Sequence, residues 1–108
     1  FKYFLNIVSF IMKIDYDDFI NFCFSLVGKT LRTKGERSNF EIVSVKKEGI
    51  TFKISTGKYR ISDSATINKI FDRYKEKGSL KTSYYTDITF NASYILVLLE
   101  KFKNEKGL

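Results

Sequence analysis

Between Phe40 and Ser62 apolar and polar residues alternate at period two, and two glycine-bearing breaks cut the alternation into three runs. Ile50, Phe52 and Ile54 fall on one side of the middle run, Thr51, Lys53 and Ser55 on the other. That pattern suits a strand with one buried and one wet face. The breaks, Lys46-Lys47-Glu48-Gly49 and Thr56-Gly57, are too short for a crossover, so neighbouring strands must run antiparallel. Gly49 is expected at a positive φ in its turn. Thr30–Thr33 reads as a further short strand, joined to Phe40–Val45 by the polar stretch 34–39.

Helical spacing flanks this meander. Asp15 reads as an N-cap, with Asp17 and Asp18 at the positive end of the helix dipole. Tyr16, Phe19, Ile20, Cys23, Leu26 and Val27 form the apolar stripe of that helix, and Gly28 is expected to close it. A second helix, capped by Ser62 or Ser64, carries Ile67, Ile70, Phe71 and Tyr74 and stops at Gly78, with Leu80 set for a contact beyond the stop. Lys81–Phe90 reads as a loop or an extra short strand. Asn91 is expected to cap a third helix, Ala92–Lys103, which is apolar on more than one face and so suited to packing under the sheet. The fold class is therefore α+β: a helix, a three- to four-stranded antiparallel meander, then two helices on its apolar face.

At 108 residues the chain has room for one core. Residues 12–104 are expected to form a single domain and 105–108 to fray. Residues 1–11 form a hydrophobic extension of helical spacing, too short to span a bilayer, with Met12 read as the natural start. The lone Cys23 lies on an apolar stripe and has no internal disulfide partner, which points to a reducing, cytoplasmic compartment. Asn91-Ala92-Ser93 matches a glycosylation acceptor, a match that compartment argues against.

Little here supports catalysis. The chain has no histidine, which removes the usual general base and the commonest metal ligand. The Asp15/Asp17/Asp18 cluster is read first as helix capping, and metal binding is the weaker alternative. Gly28-Lys29-Thr30 echoes the end of a phosphate-binding loop, but Cys23 stands where that loop needs a glycine. No enzyme, no cofactor and no metal is expected.

The charge is uneven. Residues 29–61 carry nine basic and three acidic groups, a net of +6 out of the chain's +7. A two-residue Thr56-Gly57 loop would set Ile54 opposite Tyr59, Lys53 opposite Arg60 and Phe52 opposite Ile61. Tyr59 and Ile61 would then point inward, and Lys53 and Arg60 would face each other on the wet side, where like charges repel. That reading makes Lys53, Lys58 and Arg60, with Ser55 as a neutral donor and Arg32, Lys34 and Arg37 flanking, a surface for phosphates. A solvated face of splayed side chains is the bland alternative. A helix-turn-helix reading of the last two helices is set aside, because the third helix lacks polar residues to offer base edges.

From Gly28-Lys-Thr-Leu through Phe40-Glu-Ile-Val-Ser-Val, Gly49-Ile-Thr-Phe, Ser55-Thr-Gly-Lys-Tyr-Arg-Ile-Ser62, Gly78-Ser-Leu and Asn91-Ala-Ser-Tyr-Ile95, the chain resembles small modules attached to bacterial restriction-type and HNH nucleases. The resemblance covers roughly residues 28–102. It implies an accessory DNA-associated domain without a catalytic centre. The expected function is thus non-catalytic nucleic-acid binding, with DNA the expected target, through a basic sheet face. The alternative is a protein-interaction module, a homo-oligomer or a subunit of a larger assembly, acting through Phe1–Met12 or the helix 92–103. Attachment to anionic membranes by the N-terminal segment ranks last.

Overall fold

The computed structural model describes residues 14–33 and 38–107. A helix, α1 (Tyr16–Phe24), leads into β1 (Thr30–Arg32), β2 (Asn39–Lys46), β3 (Gly49–Ile54) and β4 (Tyr59–Asp63). Two helices follow, α2 (Ser64–Lys77) and α3 (Ala92–Glu105), separated by a 3-10 turn at Thr82–Tyr84. The strands form one antiparallel sheet in the order β1-β2-β3-β4, so the meander and the α+β class are as expected.

Each element has a local cause. The Asp15 carboxylate accepts the Asp17 N–H at 3.1 Å, as its N-cap assignment requires. The helix stops at Phe24, earlier than Gly28. Gly28 instead takes φ +84° at the entry to β1, where its N–H donates to the Ile42 carbonyl at 2.8 Å. Neither Ser62 nor Ser64 caps α2. Asp63 does, accepting the Thr66 N–H at 2.8 Å, while Ser62 is buried in β4. Gly78 ends α2 at φ +66°, the left-handed stop expected of it. Asn91 precedes α3 but makes no side-chain cap, and its Oδ1 is buried with no hydrogen-bond partner among the described residues.

In β2 the inward residues are Phe40, Ile42 and Val45, a spacing that slips by one. A bulge between Ile42 and Ser44 absorbs the slip, so Ile42 and Val45 both reach the core. Gly49 is not at a positive φ. Its role is close approach: a Cβ there would lie 2.4 Å from the Ser62 carbonyl oxygen and 2.9 Å from the Asp63 Cα.

Aromatic rings join the three helices to one another and α3 to the sheet. Phe19 of α1 stands edge-on to Phe71 of α2 (5.1 Å between ring centroids) and to Phe102 of α3 (5.7 Å). Tyr94 of α3 packs on Phe40 at 5.0 Å and Phe52 at 4.8 Å. Each fully buried Phe contributes about 2 kcal/mol of transfer free energy, and edge-to-face pairing adds to it. The apolar run of α3 is consumed by this packing, with Ile95, Leu96, Leu98 and Leu99 all fully buried. The helix 92–103 therefore offers no apolar face to a partner, contrary to the expectation for it. Phe1–Met12, the other segment named for that role, lies outside the described residues.

The stretch 81–90 is a loop of successive turns, one of the two forms expected of it, and not a strand. Its turns are held by Tyr85, which is fully buried and donates its hydroxyl to the Ser79 carbonyl. Burial pushes the Tyr85 phenol up to about 12. Arg73 of α2 clasps the same stretch, with a bidentate pair to Asp87 at 2.9 Å and a bond to the Tyr84 carbonyl at 2.6 Å.

Candidate interaction surface at the β4 edge

The site follows from one turn. The Ile54 N–H donates to the Lys58 carbonyl at 2.9 Å, and the Gly57 N–H donates to the Ile54 carbonyl at 2.9 Å. The loop is thus three residues, Ser55-Thr56-Gly57, with Gly57 at φ +88° as its last member. Three-residue hairpin loops characteristically end on a left-handed glycine. An odd loop in place of an even one moves the pairing by one residue, which turns every β4 side chain to the other face.

The register shows the consequence. Lys53 pairs with Tyr59, Phe52 with Arg60, Thr51 with Ile61 and Ile50 with Ser62. Tyr59 and Ile61 therefore point outward with Lys53 and Thr51, and are 62% and 68% exposed. Arg60 and Ser62 share the inner face with Phe52 and Ile50. The expected face-to-face pair of Lys53 and Arg60 does not exist, because those side chains lie on opposite sides of the sheet. Lys53 instead sits between Glu41 on β2 and Tyr59 on β4, its Nζ 5.9 Å from the Tyr59 ring centroid. One neighbour is an opposite charge and the other an aromatic ring, so no repulsion is left for an anion to relieve.

The remaining predicted residues scatter. Ser55 and Lys58 are exposed in the hairpin connection. Arg32 lies on β1 at the far edge, paired with Asn39, two strand spacings or about 10 Å from β3. Lys34 and Arg37 fall outside the described residues.

Sequence reasoning placed Tyr59 and Ile61 in the core, and so missed the apolar pair that the fold exposes. The signal was Gly57, which serves equally as the second residue of a two-residue loop or the third of a three-residue one. The inner side of the same strand is also unusual. Arg60 is half-buried, and its guanidinium lies 5.9 Å from the centroid of Phe90, a ring that is 83% exposed. Ser62 is buried with its Oγ unpaired among the described residues. Asp63, the strand's own carboxylate, is committed to the α2 N-terminus; the bond from the Thr66 N–H holds it below the usual carboxylate range.

No thiol chemistry is available nearby. Cys23 is fully buried, and desolvation pushes its thiol up to about 12. No described helix is long and apolar enough to cross a membrane. Comparison with protein-family models, with curated proteins and with solved structures found no match to this chain, so the functional reading rests on these residues alone.

Proposed function

We propose that this domain is a protein-interaction module that engages its partner through β4. The observation that carries this reading is the outward placement of Tyr59 and Ile61 on the last strand of an open sheet. A β-branched residue and an aromatic, each more than half exposed side by side, are what interfaces use and what an isolated surface avoids. Val43, on the bulge of β2, and Phe90 beside Arg60 are exposed as well. Phosphate binding by a basic sheet face, the first expectation, loses the Lys53–Arg60 pair it was built on and retains the +6 carried by residues 29–61.

The test uses the purified chain against a displayed library of random peptides, beside a variant carrying Tyr59→Ser and Ile61→Ser. Wild type should enrich peptides whose affinity drops at least tenfold in the variant, with thermal melts unchanged. Failure to enrich any peptide, or equal binding by the variant, would overturn the reading. So would tight, steeply salt-dependent binding to random duplex or single-stranded nucleic acid that ignores both substitutions.

A further inference from the structure

The two edges of the sheet differ in kind. β1 has three residues and turns Thr30 and Arg32 outward, a short polar edge of the sort that resists further pairing. β4 has five residues, and of its three exposed side chains on the outer face Tyr59 and Ile61 are apolar, while Asp63 at its end is tied to the α2 N-terminus. Among the described residues it is paired only on its β3 side. A chain laid along its open side would meet Tyr59 and Ile61 on the outer face and Arg60 with Phe90 on the inner face, which is the alternation strand addition reads.

Arg60 restricts what that chain can be. Its guanidinium has no carboxylate partner among the described residues, only the face of Phe90. A neutral strand docking on β4 would bury this charge unpaired, which is strongly unfavourable. A strand that brings a carboxylate to the inner face would instead form a charge-assisted, bidentate pair in a partly dry setting. Lys58, exposed just before the strand, favours the same sign of partner.

A second copy fits poorly. A two-fold axis centred on Ile61 sets Arg60 opposite Ser62 of the other copy, and one centred on Arg60 sets guanidinium on guanidinium. Neither supplies a carboxylate, and each chain carries +7.

We infer, resting on the interaction role proposed above, that the partner is an extended acidic segment of another protein that adds as a fifth strand on β4. Its apolar side chains lie on Tyr59 and Ile61, and its carboxylate lies on Arg60.

The peptides recovered from the displayed library test this directly. They should alternate apolar residues with Asp or Glu, and a bound synthetic peptide of that sequence should slow amide exchange along β4. Arg60→Glu should weaken such peptides at least tenfold and redirect selection toward Lys and Arg, while Arg60→Lys retains the acidic preference. Peptides that need Tyr59 and Ile61 but show no acidic enrichment, or no sensitivity to Arg60→Glu, would overturn the partner class and leave the interaction role standing. Bound peptides that protect no β4 amide would overturn the strand geometry. A dimer seen by sedimentation at micromolar concentration and abolished by Ile61→Asp would assign the edge to a second copy instead.

Discussion

β3 and β4 are neighbours with the same written pattern, and they dispose of it in opposite ways. Ile50 and Phe52 of β3 are fully buried, whereas Tyr59 and Ile61 of β4, spaced two apart like them, stand in solvent. Burial is the reason the difference is tolerated. β3 is central, with β2 and β4 on either side and Tyr94 of α3 over Phe52, so its inward positions must be apolar. β4 is the rim, where a long side chain at an inward position can carry its charge past the edge of the core. Arg60 does this, laying its stem under the sheet edge and its head beside Phe90. A strand at the margin therefore need not obey the pattern that governs the centre.

The comparison breaks most readily on the energetic cost of each strand's apolar residues. Phe52→Ala should cost about 4 kcal/mol, the range for emptying a packed aromatic site. Ile61→Ala should fall within about 0.5 kcal/mol of wild type, as exposed positions do. Urea unfolding of the two variants measures both, and comparable losses would return Ile61 to the core.

Gly49→Ala sharpens the same contrast from the opposite end of the hairpin. Under the observed register a Cβ at 49 meets the backbone of Ser62 and Asp63, so the variant should lose about 2 kcal/mol as the strands part. A two-residue loop would shift β4 by one and change those contacts, making the substitution a probe of register as well as stability.

Asp63 gives a smaller, pH-dependent effect where β4 hands over to α2. Its carboxylate is held below the ordinary range by the Thr66 N–H, so its folded pKa is lower than its unfolded one. The stabilisation is thus present above about pH 4, the ordinary carboxylate value, and is lost as pH falls through the folded value. Asp63→Ala should lower Tm at pH 7, and the gap to wild type should close as both are melted at progressively lower pH.

Much of this was written in the sequence. The alternation of 40–62 and the helical stripes around it dictate the meander, the three helices and the buried faces of Phe19, Phe52 and Leu98. What eluded reading was parity and closure. Gly57 accommodates a loop of either two or three residues, and only the packed sheet decides between them. Asp63 was overshadowed as a cap by two serines beside it, although a carboxylate at a helix start is an equally good acceptor. Tyr85 gave no periodic signal, because it is held by a single hydroxyl bond and by packing within a stretch of turns. The candidate site suffered most, since a one-residue change of register exchanges the residues that face solvent for those that face the core.

Cross-strand nuclear Overhauser contacts between β3 and β4 decide the matter most directly. The account predicts backbone contacts pairing Lys53 with Tyr59 and Thr51 with Ile61. Contacts pairing Lys53 with Arg60 and Phe52 with Ile61 would contradict it and turn Tyr59 and Ile61 back into the core.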